Sequence, residues 1–248
     1  MGKEGVNEVE TGRDNVTETD DRAGRGPEQR DFEDLSSLYF IKDEPPPQDR
    51  EESLSYFTRL FGSRRPIVVE IGSGNGHFLV EYSKLYPDRN FIGTEILHGR
   101  ARKFASKICK RGLKNIVVFL GDTRRFVWEF LYAASVEEFI VLFPDPWPKN
   151  RHRKHRLLSD RFIRMLRNRL VDGGKVSVAT DHEEYKDFMI SVFASVDGFE
   201  SVFMRGYGDY PDNYPKTLFW DRFKKEGRPL YYLQWIKKTI HRAEDKAT

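Results

Sequence analysis

Ile67-Val68-Val69-Glu70-Ile71-Gly72-Ser73-Gly74-Asn75-Gly76 is the stretch from which the fold can be read. Its apolar, β-branched half is short enough for a buried strand, and the glycines behind it permit positive φ and close approach of a ligand to the backbone. Residues 78–85 then carry helical spacing and stop before Pro87-Asp88. A strand that passes through a glycine turn into a helix is the opening unit of a parallel α/β sheet.

Downstream the alternation continues. Strands are expected over 90–95, 116–120, 139–143 and 175–180, the last entered through Gly173-Gly174. Helices are expected over 99–111, 126–132, 159–170 (with Ser159 as N-cap) and 183–194. Upstream, Leu54, Phe57 and Leu60 give 53–61 a helical face, and Pro45-Pro46-Pro47 makes a stiff linker before it. Beyond 201, the aromatic-rich segments 207–214 and 230–236 are expected to pair antiparallel at one sheet edge. The fold class is therefore α/β, a mostly parallel sheet with helices on both faces and an antiparallel C-terminal edge. Residues 1–34 are acidic and nearly free of large apolar side chains, which predicts a disordered extension. Residues 35–64 read as linker and helix, 65–240 as the globular domain, and 241–248 as a flexible tail.

A net charge of +3 hides the acidic start, so the domain itself is more basic than the total. That balance points to a polyanionic partner. One cysteine, Cys109, excludes an internal disulfide and fits a reducing compartment. No apolar run approaches the roughly 20 residues of a membrane span, and the start is unlike a signal or transit peptide. Cytoplasmic placement is the expectation. His182 and the pair His152 and His155 have no acid–cysteine set at ligand spacing, so no metal is expected.

The chemistry is carried by acids at successive strand ends. Glu70 ends the first strand of the domain, beside Gly72 and Gly74, where a carboxylate can receive a ligand ammonium group. Glu95 ends the second, where an acid accepts from ribose hydroxyls. Asp122 follows the third and can face an adenine amino group; Asp145 follows the fourth. Ligands of open α/β sheets bind outside these ends. The turn spacing is G-x-G-x-G, not the G-x-G-x-x-G of a dinucleotide site, so the expected ligand carries an amine, a ribose and an adenine and no pyrophosphate. S-adenosylmethionine fits; a nicotinamide dinucleotide fits less well. Asp181 ends the fifth strand, as a substrate-side candidate or as the N-cap of the next helix.

Asp145 lies in Phe143-Pro144-Asp145-Pro146-Trp147-Pro148, a loop stiffened by alternating prolines, and the basic run from Lys149 to Arg156 follows at once. Cations in such a run hold nucleic-acid phosphates.

From about Arg65 to Trp235 the chain resembles the bacterial tRNA (guanine-N7)-methyltransferase family, on EIGSGNGHFL, NFIGTEI, GD, FPDPWPKNRHRKHR and ATDHEEY in order. The resemblance implies a Rossmann-like methyltransferase fold, S-adenosylmethionine as cofactor, and methylation of N7 of a guanine in the variable loop of tRNA. It implies that Glu70, Glu95, Asp122 and Asp145 bind the cofactor and that Asp145 is also catalytic. Lys149 and Asp181 would contact the substrate base, and Asn150, Arg151, His152, Arg153, Lys154 and His155 the RNA. The family's Thr-x-Tyr/Phe-Glu reads Thr217-Leu218-Phe219-Trp220 here. Thr217 and the aromatic match, Trp220 replaces the acid, and Asp221 comes one residue late; these three are the remaining substrate-side candidates. The chain is expected to act as a monomer or homodimer. The rival readings are a tRNA-binding protein without catalysis and a methyltransferase for another substrate.

Overall fold

The computed structural model describes residues 40–41 and 45–239. The expected extension 1–34 and tail 241–248 lie outside the described residues. The elements in chain order are β1 (Phe40–Ile41), α1 (Arg50–Phe61), β2 (Ile67–Ile71), α2 (His77–Leu85), β3 (Asn90–Glu95), α3 (His98–Lys110), β4 (Ile116–Leu120), α4 (Thr123–Glu129) and β5 (Val136–Leu142). A 3-10 turn (Asn150–His155) follows, then α5 (Asp160–Arg169), β6 (Leu170–Thr180), α6 (Glu183–Ala194), β7 (Phe199–Ser201), α7 (Leu218–Lys225) and β8 (Tyr231–Lys237).

The strands form one sheet in the order β1-β4-β3-β2-β5-β6-β8-β7. β1 to β6 pair in parallel, β8 runs antiparallel beside β6, and β7 runs antiparallel beside β8. The chain winds outward from β2 through β3 to β4, then returns to start β5 on the other side of β2. That reversal is the switch point of an open α/β sheet, and the crevice above it is where such folds bind ligands. Glu70 sits there, in register with Gly93 on one side and Ile140 on the other.

Neighbouring strand residues face opposite sides, so each strand feeds two cores. Val69, Ile71, Phe139 and Val141 join Phe57, Phe126, Phe162, Leu166 and Met189 of α1, α4, α5 and α6. Val68, Ile140 and Ala179 join Leu79, Tyr82, Phe104 and Ile108 of α2 and α3 on the opposite face. Helices on both faces close a sheet whose strands β2 and β3 are buried at every position.

Three local expectations differ. The helix expected over 126–132 is Thr123–Glu129, because Asp122 caps it by accepting from the Arg124 N–H at 2.6 Å. β6 begins at Leu170, before Gly173-Gly174, since a register shift against β5 lets residues 171–174 bulge within the strand. Segment 207–214 is not a strand. It touches β8 through one bridge, Gly208 with Tyr232, and the edge is β7. Pro211 and Pro215 lack ladder donors, and the segment's rings turn inward instead: Tyr214 packs on Phe78 and Tyr82.

Candidate active site at the strand ends

Glu70 is the next-to-last residue of β2 and is 4% exposed. Its Oε2 has no hydrogen-bond partner. Burial, reinforced by the nearby Glu95 charge and opposed by Ser73, pushes its carboxyl up to about 8. A buried carboxylate oxygen without a donor is costly unless a ligand supplies one.

The turn beside it is open. Gly72 and Gly74 hold φ of 74° and 56°, and a Cβ at either would meet nothing within 4 Å. These glycines are therefore required by backbone conformation and leave room for a ligand against the main chain. Gly76, at φ of 69°, serves packing as well: a Cβ there would come within 2.0 Å of the Phe104 ring. Glu95, 5% exposed, accepts from the Leu97 N–H at 2.8 Å, which fixes its carboxylate at the end of β3. Asp122 keeps an exposed side chain at the start of α4.

The loop after β5 is held in an unusual shape. Phe143 and Trp147 adopt φ of 53° and 43°, conformations that bulky side chains rarely take. Phe143 donates its N–H to the Ala179 carbonyl at 2.8 Å and sets its ring edge-on to Phe223 at 5.5 Å. Trp147 lies against His152 and His155. Arg156 supplies the anchor. It is 2% exposed, donates from Nε to the Pro146 carbonyl at 2.9 Å, and makes two bonds to Glu184 of α6. Its guanidinium lies over the Tyr185 and Phe188 rings at 4.9 and 4.6 Å. Glu184 is held below the usual carboxylate range, chiefly by this hydrogen bond. The loop thus presents Asp145 to solvent on a braced backbone.

Arg156 therefore differs from the rest of the basic run. The turn Asn150–His155 buries no residue, although Arg153 also reaches Glu184 at 3.1 Å. Arg156→Ala is expected to lower stability by about 2–4 kcal/mol, because it removes a buried charge, a loop carbonyl's donor and the cover of two rings. That corresponds to a melting temperature roughly 5–15 °C lower. A thermal melt checks it; an unchanged midpoint would remove Arg156 as the anchor.

Asp181, the substrate-side candidate, is paired with Arg228 at 2.5 Å and is 15% exposed. It does not cap α6; His182 does, accepting from the Tyr185 N–H at 3.3 Å. Arg228 also covers the Phe223 ring, which joins Asp181 to the ring contact at Phe143. Thr217 caps α7 by accepting from the Trp220 N–H at 2.8 Å. The Trp220 indole faces Tyr210, with Lys216 and Lys224 each 4.6 Å from its ring, and its buried Nε1 has no partner. Asp221 is exposed in the first turn of α7, and Lys149 is exposed just before the 3-10 turn. Sequence reading missed Arg156 and Arg228 as supports. Nothing local marks the first among its basic neighbours, and the second meets Asp181 only through the fold.

Among the described residues no group of His, Cys, Asp and Glu could hold a metal ion, and no helix is long and apolar enough to cross a membrane.

A family model described as a putative methyltransferase matches residues 64–233. The tRNA (guanine-N(7)-)-methyltransferase of Chlamydia felis is 35% identical over 180 residues, covering 72% of this chain and 79% of that protein. The enzyme of the same name from Psychromonas ingrahamii is 34% identical, covering 75% and 76%. The antibiotic-resistance methyltransferase Kmr superposes with a TM-score of 0.55 at 16% identity, over 76% of this chain and 94% of its own, and so shares the fold. With a glycine turn and buried acid at the sheet's switch point, and relatives of this identity along most of its length, the chain belongs to the tRNA (guanine-N(7)-)-methyltransferase family.

Proposed function

We propose that this chain transfers the methyl group of S-adenosylmethionine to N7 of a guanine in the variable loop of tRNA. One observation carries the cofactor half: the Glu70 carboxylate, buried at the switch point, has an oxygen with no donor beside an open glycine turn. An α-amino acid ligand brings that donor as an ammonium group. The residues present fit the cofactor: Glu70 would take the ammonium, Glu95 the ribose hydroxyls and Asp122 the adenine amino group. Gly72 and Gly74 would let the main chain approach. When bound, the cofactor supplies an electrophilic methyl group.

The protein's own task is positioning and charge. Guanine N7 already carries an exposed lone pair, so no strong base is needed to make it a nucleophile. Methylation leaves the purine cationic, and Asp145 faces that charge from the braced loop. Asp181 would accept from the base edge that carries N1–H and N2–H, with Arg228 holding one of its oxygens. Lys149, Thr217, Trp220 and Asp221 would complete the substrate side. N7 sits on the major-groove edge, so the base is reached only when turned out of tertiary pairing. Asn150 to His155 would grip the backbone while the acids select the base.

Incubation of the protein with labelled S-adenosylmethionine and bulk tRNA, followed by mapping of the modified nucleotide, tests this reading. The expected product is 7-methylguanosine confined to the variable loop. Binding of tRNA without methyl transfer, or label on protein or small molecules instead, would overturn it.

A further inference from the structure

Away from the strand ends, a groove of about 850 Å³ runs between α4 and α5. Its mouth opens at the rim of the site, since α4 starts directly after Asp122 and α5 follows the basic turn Asn150–His155. Phe162 and Met165 line it together with five arginines.

The arginines are not equivalent. Arg125 pairs with Glu129 at 2.7 Å and Arg164 with Asp160 at 2.9 Å, so both are neutralised on their own helices. Arg169 is tied to the carbonyls of Val127 and Trp128. Arg124 has no carboxylate among the described residues; its guanidinium only overhangs the Phe162 ring at 6.0 Å. Arg161 is exposed and pairs with no acid among the described residues. The two guanidinium groups without counter-charge therefore stand at the start of their helices, at the mouth. Further along α4, Trp128 also lines the groove and is 66% exposed, with the Arg169 guanidinium 5.9 Å from its ring. An indole left this bare is a surface for a flat apolar group.

We propose that this groove is a second seat for tRNA: phosphates of the backbone rest on Arg124 and Arg161 at its mouth, and a base or ribose rests against Trp128. The inference rests on the reading that tRNA is the substrate. Free guanidinium groups are matched to phosphate oxygens, and an aromatic face takes any base by stacking. One wall of the groove, α5, follows the basic 3-10 turn in the chain, and a substrate far larger than the catalytic crevice must extend past it. The arrangement favours nucleic acid over a protein partner because its two guanidinium groups without counter-charge, one in the first turn of each helix, suit phosphates.

The test is tRNA binding by anisotropy across a salt series, with S-adenosylhomocysteine present, for the native chain, Arg124→Glu/Arg161→Glu and Trp128→Ala. The charge reversal is expected to weaken binding at least about tenfold and to flatten the log–log salt slope by roughly 1.4–1.8, the loss of two phosphate contacts. KM for tRNA should rise while kcat at saturating tRNA, cofactor affinity and melting temperature stay put. Trp128→Ala should weaken binding roughly fivefold or more with the slope kept. Unchanged affinity in the charge reversal overturns the proposal, and so does weaker binding with an unchanged slope; either leaves the groove to a protein partner. If the native chain itself neither binds nor methylates tRNA, the functional reading fails first, a result distinct from failure of the groove alone.

Discussion

Asp145→Ala is expected to abolish methyl transfer at little expense to the fold. Asp145 is exposed and accepts no hydrogen bond among the described residues, so its carboxylate holds nothing else in place. The loop around it is braced independently, by Arg156 on the Pro146 carbonyl and by the Phe143 N–H on Ala179. Removal of the side chain should move the melting temperature little. The effect on rate is different. A carboxylate about 4 Å from a developing cation, at an effective dielectric near 20, contributes about 4 kcal/mol, which is roughly a thousandfold. Asp145→Asn, which keeps the shape and loses the charge, should fall almost as far. Single-turnover kinetics with bound tRNA check both. Undiminished turnover in the alanine variant would remove Asp145 from catalysis, and a collapse of melting temperature would recast it as a structural residue.

What was legible in the sequence was local. Glu70 and the glycines behind it announce themselves because strand, turn and helix start follow one another within ten residues of printed sequence. Glu95 and Asp122 stand out by the same period as acids at strand ends, and the structure adds that they accept from the Leu97 and Arg124 N–H groups. The supports were not legible, because they act across the chain. Arg156 looks like one more cation in a basic run, yet it is buried under Tyr185 and Phe188. Arg228 stands in a polar stretch after α7 and finds Asp181 only when β6 and that stretch are brought together. The aromatic segment 207–214 misled in the other direction. Its composition suits a strand, but Pro211 and the following Pro215 lack ladder donors, and the Tyr214 ring serves the core under α2. Composition reports what a segment can bury; it does not report which neighbour will be there to receive it.

Glu70 gives the other large effect, and its sign follows from burial. With the carboxyl at about 8 in the folded chain against 4.5 ordinarily, the folded state keeps a proton that the unfolded state has lost across that window. Glu70 therefore favours the folded free protein below about 4.5, and that contribution is lost as pH rises toward 8. A ligand ammonium group reverses the balance by favouring the carboxylate. At pH 7 the free protein then largely carries the proton, so binding of S-adenosylhomocysteine should release up to one proton, and affinity should rise with pH until it levels near 8. Calorimetry in buffers of different ionisation enthalpy reads the proton count directly. Glu70→Gln should weaken that binding by roughly 10²–10³-fold, since a charge-assisted bond becomes a neutral one in a buried site. It should also erase the pH dependence. The same substitution should make the free protein more stable at pH 8, because no charge is then buried. Opposite signs on ligand affinity and on free-protein stability are what separate a carboxylate kept for a cationic ligand from one kept for the fold. If affinity and stability fell together, Glu70 would be structural, and the crevice at the switch point would need another residue for the amine.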